Sequence, residues 1–521
     1  MSSRNVTRGQ DGLWRIDRGH GDGPLPSWML LRLTVEFDTS SAVVTAADAL
    51  TQVMERHEGL RTTIEVDPAG SPVQTVHEDA RLDVETVETD ADGFDEAKSA
   101  LLDRLSGPRF DLSRHYPVRA GLVDCGERQA LVLLIHHIAA DRWSLRVLHD
   151  ELLEAVTRGR VDWQHPMQPG DVAERESSQE GKRRNELALR YLEQCHEKAP
   201  QCLFMESEGD DGPQFTSTWL HSPAAYSAAR KIASRYGVSE PAIWLSALSS
   251  YLSLTSGLDG CRFHMQVSNR TDKAEHTVVA RMARSVPVAV DLSGDPAFSQ
   301  VAQRSLRATV GAMRNANFSN RQYEEIVRSA QRRRGVHFRD QVFVNYLPGL
   351  PSDSRADDDP DRISGVAFTR RTDSGPTFEF SVVSEKEGVV LAVDRRYVKD
   401  PEGAVHWVES TLCHLVEVGD VPLSALPGPT RTRPTAELTR YENSWVSLPE
   451  IAAALNSHPA VASAEVSVRR DDGAETLVAR VHLERGDVPP EELRAYMAES
   501  LPRRSTLMVP KEFIVRPGAA E

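Results

Sequence analysis

Residues 131–144 read LVLLIHHIAADRWS: five apolar residues, two adjacent histidines, and an acid four positions after the second. The run reads as an apolar strand that ends in two imidazoles. Neighbouring side chains on an extended chain point to opposite faces, so His136 and His137 are expected to divide between core and cavity. Asp141 falls where the strand has turned toward a helix. Ser144 is placed to cap that helix, whose Leu145, Leu148, Leu152 and Val156 share one face. An imidazole titrates near neutrality, which suits it to moving one proton during acyl chemistry.

Two further segments carry the argument outward. Arg56, His57, Glu58, Gly59, Leu60, Arg61, Thr62, Thr63 and Ile64 form one, and Thr7, Gln10, Leu13 and Trp14 form an earlier one. Together with 136–141 they resemble, in order and spacing, three motifs of nonribosomal peptide synthetase condensation domains: T-x-x-Q-x-x-L-W, R-H-E-x-L-R-T-x-F and H-H-x-x-x-D-G. These domains belong to the wider chloramphenicol acetyltransferase-like acyltransferase superfamily. Downstream, Val267 to Arg270, Val342 to Pro348 and Thr377 to Val382 are similar to later family segments, and Asp171, Val172, Ala173 faintly to a "DYA" motif. The resemblance spans about residues 5 to 426. One position departs: Arg142 stands where the family has glycine.

Length and charge narrow the class. A chain of 521 residues exceeds what one core fills and points to two or three domains. A net charge of −16 repels phosphate backbones, so nucleic acid is not an expected partner. Five cysteines, Cys125, Cys195, Cys202, Cys261 and Cys413, lie far apart without C-x-x-C spacing, which argues against a disulfide framework or a structural metal and fits a reducing cytoplasm. No stretch approaches the roughly 18 apolar residues of a membrane span, and the N-terminus lacks an apolar signal core. Cytoplasmic localisation is therefore expected, with no membrane partner.

The expected architecture is mixed α and β. Residues 29–37 read as a strand and Ala42 to Glu58 as an amphipathic helix, followed beyond the histidines by a less regular polar stretch, 164–186. The resemblance implies two chloramphenicol acetyltransferase-like lobes, 1–175 and 176–426, with the active site in the crevice between them. Residues 206–213 and the acidic run 352–362 read as solvated loops. Residues 427–434, rich in Pro, Gly and Thr, read as a linker. Residues 435–521 resemble the small α+β C-terminal subdomain of adenylate-forming enzymes, truncated before its lysine, and are expected to be a separable accessory.

The resemblance also implies the chemistry. A condensation enzyme joins an acyl group, held as a thioester on a carrier protein's phosphopantetheine arm, to an amine or hydroxyl acceptor, forming an amide or ester in natural-product, including antibiotic, biosynthesis. The thioester stores the driving force, so no metal and no bound cofactor is expected; phosphopantetheine arms enter as substrates on partner carrier proteins. By resemblance His137 is the catalytic base or amine-orienting acceptor, His136 is structural, and Asp141 is an architectural acid. Arg270 is its candidate partner, with Arg281 and Arg284 as runners-up, because a buried carboxylate requires a charge or several donors. Arg142, Asn345 and Ser144 are candidate substrate contacts. Arg142 either narrows the acceptor side, neutralises an acidic substrate, or points to solvent. The chain is expected to be a free-standing enzyme. Two alternatives stand beside this: an acyltransferase using a soluble acceptor or a coenzyme A thioester, and a catalytically silent scaffold that docks carrier proteins.

Overall fold

The apolar run becomes the strand Arg128–His136, in which every side chain from Ala130 to His136 is buried. A strand so apolar must be covered on both faces. Ala130 and Val132 meet Phe94 and Leu101 of the helix Phe94–Ser106. Leu131, Leu133 and Ile135 pack instead with Leu50, Val53 and Met54 of the helix Ala46–Arg56 and with Leu148 and Leu152 of the helix Arg142–Arg158. Gly121 on the adjacent strand allows the first of these contacts, since a β-carbon there would lie 2.6 Å from Leu101.

A computed structural model describes residues 2–161, 165–205, 215–347, 364–368, 377–383, 388–429, 437–471, 474–484 and 486–517, apart from His20, Asp22 and Pro24. The histidine strand lies between Leu30–Asp38 and Val118–Asp124, antiparallel to both, and Val84–Glu88 completes the four-stranded sheet in parallel. A second lobe is built on seven strands in the order Arg284–Asp291, Gly260–Val267, Val342–Leu347, Phe378–Val383, Gly388–Asp394, Phe215–His221 and Ser364–Phe368. Its core is separate from the first and lies where the helices Pro223–Tyr236, Glu240–Ser256, Phe298–Arg314 and Pro401–Val418 pack with the strands of this sheet. The fold is mixed α/β in two lobes. No helix among the described residues is long and apolar enough to cross a membrane.

Two local expectations change. The stretch 164–186 is largely helical, as Pro169–Ser177 followed by Gln179–Glu197. Its polarity masked buried positions at Val172, Ala173, Gly181 and Asn185. The amphipathic helix is also shorter than 42–58, because Thr45 caps it by accepting from the Asp48 amide and His57 resumes extended backbone. Residues 206–213, 352–362 and 430–434, read above as loops and linker, lie outside the described residues, as does Pro348.

Residues 437–517 form a hairpin, Leu438–Tyr441 with Ser444–Ser447, and a three-stranded sheet of Val461–Asp471, Ala474–Leu483 and Glu512–Arg516. The helices Leu448–Asn456 and Pro490–Ser500 complete the unit. It is not the separable accessory that the Pro-rich stretch suggested. Ala199, Ala330, Val336 and Phe338 of the second lobe belong to the same apolar core as Tyr441, Leu507, Met508 and Val509. Polar bonds tie the seam: Trp445 Nε1 to Ser256 O at 2.8 Å, Asp259 N to Asn443 Oδ1 at 2.8 Å, Gln201 Nε2 to Ser505 O at 2.7 Å and Val509 N to Gly335 O at 2.8 Å. Full burial of a large apolar side chain stabilises by roughly 1.5–3 kcal/mol. A chain ending at residue 429 should therefore expose Val336 and Phe338 and lose several kcal/mol; thermal melting should show a lower midpoint or loss of soluble protein, and an unchanged midpoint would mean that the seam contributes nothing.

Candidate functional site

Asp141 follows the turn after the histidine strand, in extended conformation (φ −126°, ψ −179°), and caps the helix Arg142–Arg158. Ser144, expected to be the cap, is instead the third helical residue. The carboxylate takes the position because it is the stronger acceptor at a helix N-terminus. Its Oδ1 accepts from Ser144 N and Ser144 Oγ, both at 2.9 Å, and from Arg270 Nη2 at 3.0 Å. Its Oδ2 accepts from Arg270 Nη1 at 2.7 Å, Met282 N at 3.0 Å and Ala283 N at 2.9 Å. Three donors thus reach each oxygen.

Four of those six bonds come from the second lobe. Arg270 follows Asn269, whose positive φ of 53° turns the chain out of the strand Gly260–Val267. The guanidinium forks onto both carboxylate oxygens with side chains 1% exposed on either side, and Nη2 also donates to Val278 O at 3.1 Å and to Ser144 Oγ at 3.1 Å. Burial alone would raise the Asp141 pKa, but Arg270 and the amide donors outweigh it and hold the carboxyl below its ordinary range. Glycines allow the two lobes to close here: a β-carbon on Gly9 would lie 2.1 Å from Arg281 O, and one on Gly59 2.7 Å from Val279 O. The segment 278–283 is thereby held against the end of the histidine strand.

His137 is placed by this arrangement. Its amide donates to Met29 O at 2.8 Å, and its Nδ1 lies 2.6 Å from Ala140 O. A carbonyl only accepts, so Nδ1 carries the proton and Nε2 presents its lone pair. That lone pair meets Arg281 Nη1 at 2.9 Å, across the lobe boundary. The edge of Trp28 faces the ring at 6.4 Å between centroids. Burial, then the Arg281 charge, push the imidazolium pKa down to about 3, so His137 is neutral at physiological pH.

His136 occupies the opposite face. It is fully buried, its Nδ1 accepts from Ile138 N at 3.2 Å, and its ring stands edge-on to Phe110 at 5.8 Å. Burial and Arg109 push its pKa down to about 3. Arg284 is not a partner of Asp141: it donates to Phe318 O at 3.0 Å and Asn320 Oδ1 at 2.8 Å and contacts Arg8 O, joining the helix Arg8–Gly19 to the second lobe. Arg142 is half-buried at the first position of its helix. Asn345 pairs with Ser381 in the second-lobe sheet and takes no part in the hydrogen-bonded group around His137. A cavity of about 650 Å³ bounded by Arg8, Asp11, Glu176, Asn185 and Gln322 contains none of these site residues.

The other two motifs are scaffolding in this structure. Thr7 and Gln10 bond reciprocally, Thr7 N to Gln10 Oε1 at 2.9 Å and Gln10 N to Thr7 Oγ1 at 3.1 Å, starting the helix that carries Gly9. Arg56 and His57 both engage Glu151 on the helix Arg142–Arg158, at 3.1 and 2.6 Å. The residue that sequence reasoning misplaced is Arg281, read as a second choice for Asp141 and found on His137. Its signal was a single cation in the apolar run Val278, Val279, Ala280, Met282.

A family model described as the condensation domain matches residues 7–399. The chain belongs to the condensation domain family. Malpibaldin synthetase of Mortierella alpina is 26% identical over 349 residues, which are 62% of this chain and 6% of the synthetase. The isonitrile lipopeptide synthase of Mycobacterium tuberculosis is 29% identical over 327 residues, 57% of this chain and 12% of that protein. The chain thus spans a small part of the length of these relatives. Among solved structures, the first condensation domain of the calcium-dependent antibiotic synthetase superposes with a TM-score of 0.60 at 16% identity, covering 82% of this chain and 100% of that domain.

Two outcomes follow for this condensation domain. Asp141→Ala should cost on the order of 3–5 kcal/mol by stranding Arg270, Arg270→Ala should do the same, and the double variant should be no worse than either alone in chemical denaturation. Additive losses would contradict direct coupling. The pH dependence has a definite sign: His136 has a folded pKa below its unfolded value near 6.5, so its contribution is complete above that value. It is lost as pH falls toward about 3. The melting temperature should decline from pH 7 to pH 5, and less steeply in His136→Gln protein.

Proposed function

We propose that this protein is an active condensation enzyme, joining a carrier-bound acyl thioester to an amine or hydroxyl acceptor, and that it works free-standing on carriers supplied by other chains. The observation that carries the reading is the His137 ring, held neutral in a single tautomer with Nε2 turned to the lobe boundary. An acceptor nitrogen attacks the thioester carbonyl, the C–N bond forms, the C–S bond breaks, and the proton passes through Nε2 to the departing thiolate. Orientation and one proton transfer supply the acceleration. His136 and Asp141 act through structure: one fills the core beneath the strand, the other fixes the second lobe. Phosphopantetheine arms are substrates in this scheme, and partner carrier proteins deliver them.

One observation favours the opposing reading, a silent scaffold that docks carriers. The Nε2 lone pair is already engaged by Arg281, and a base whose acceptor site is occupied cannot take a proton until that donor moves. His137→Ala separates the two. As general base, His137 contributes roughly 10²–10⁴-fold, so intact-mass analysis of acyl-loaded carriers from the same gene neighbourhood should show condensed product with the wild type and a loss of that order with His137→Ala at unchanged melting temperature. Equal product from both proteins would remove the catalytic assignment, and none from either would favour the scaffold.

A further inference from the structure

Arg281 makes no direct ion pair among the described residues. Among the described residues no carboxylate lies within ion-pair distance of its guanidinium, and Asp141, whose charge acts on it, is already filled by six donors. Its one hydrogen bond among the described residues is to His137 Nε2 at 2.9 Å. Its backbone cannot retreat: Gly9 is packed under its carbonyl, and the next amide, Met282 N, is bound to Asp141. The side chain is therefore the movable part. Placing a guanidinium in a half-buried crevice without a carboxylate costs desolvation that a bound anion would recover, and burial indeed pushes the Arg281 pKa down to about 10. A fork-shaped donor matches a planar carboxylate through two parallel bonds.

We propose that Arg281 is the receptor for a free carboxylate on the acceptor, so that the acceptor is a soluble 2-amino or 2-hydroxy acid rather than an aminoacyl group tethered to a carrier. The inference rests on the acyl-transfer reading above and deepens it. In such an acid the nucleophilic atom is two bonds from the carboxylate carbon, so a carboxylate held by Arg281 keeps that atom near the His137 ring, which Arg281 already contacts. Seating the carboxylate on the guanidinium thus sets the nucleophile beside the base. It also draws Nη1 away from Nε2, so the lone pair becomes free when an acceptor is present. A carrier-tethered acceptor has spent its carboxyl in the thioester and cannot release the base in this way. The bond changes are those already given: the neutral amine nitrogen acylates, the thiol leaves, and its proton arrives through His137.

The test uses an equimolar pool of the twenty proteinogenic amino acids and a matched pool of their carboxamides, with binding followed by saturation-transfer NMR. A charge-assisted pair is worth roughly 10- to 100-fold in affinity. Wild-type protein should bind one or more acids at least about tenfold more tightly than the matching amides. Arg281→Gln should abolish that preference, and Arg281→Lys, which keeps the charge, should restore part of it at wild-type melting temperature. No acid preference in the wild type, or the same preference in Arg281→Gln, overturns the proposal. The same pools are then incubated with acyl-loaded carriers. Acid binding through Arg281 without acylated product would sink the acyl-transfer reading and leave the receptor standing, whereas carrier-tethered acceptors reacting equally well with wild type and Arg281→Gln would overturn the receptor role.

Discussion

The Asp141 carboxylate is the constraint on which the rest of the site depends. It caps one helix and accepts four bonds from the opposite lobe. A buried ion pair is close to neutral in net stability, because desolvation offsets the attraction. What it supplies here is position. Two backbone amides, Met282 and Ala283, are satisfied only if the segment 278–283 lies across the end of the histidine strand, and that places Arg281 against His137. Gly9 and Gly59 are needed at the same seam because neither has a β-carbon to hold the lobes apart.

From this follows the electronic state of His137. The Ala140 carbonyl decides which ring nitrogen carries the proton, and burial, then the Arg281 charge, lowers the basicity of the other one. The two histidines are depressed to similar pKa values for different second causes, Arg109 for His136 and Arg281 for His137. Only one of those cations lies on the lone pair that would do the chemistry. On the proposed reading, a neutral base guarded by a cation is a different device from an exposed imidazole: it would be available across the physiological range, yet only when its guard is displaced.

The strand and the placement of His136 in the core with His137 away from it were legible in the sequence, because period-two alternation and an apolar run are local properties. The contact of Asp141 with Arg270 was also approachable, since burial of a carboxylate demands a cation and Arg270 was the first candidate for it. The role of Arg281 was not, because which of three arginines meets which acid is set by how two lobes dock. Ser144 was misread for a related reason: both it and Asp141 are good caps, and only the backbone at Asp141 decides between them. The C-terminal unit shows the largest gap. A Pro-rich stretch signals a break in regular structure, whereas the shared core of Phe338 with Tyr441 and Val509 is a tertiary fact that no linker composition records.

The most direct measurement of this account is the ring of His137 itself, observed by ¹⁵N NMR in uniformly labelled protein and assigned with His137→Gln. The structure predicts a neutral Nδ1–H tautomer that does not titrate between pH 5 and pH 8, and whose pKa rises toward its ordinary value when Arg281 is replaced by glutamine. An imidazole that titrates near 6.5 in the unaltered protein, or that carries its proton on Nε2, would contradict the placement of Arg281 on the His137 lone pair and with it the claim that the Asp141 clamp sets the state of the base.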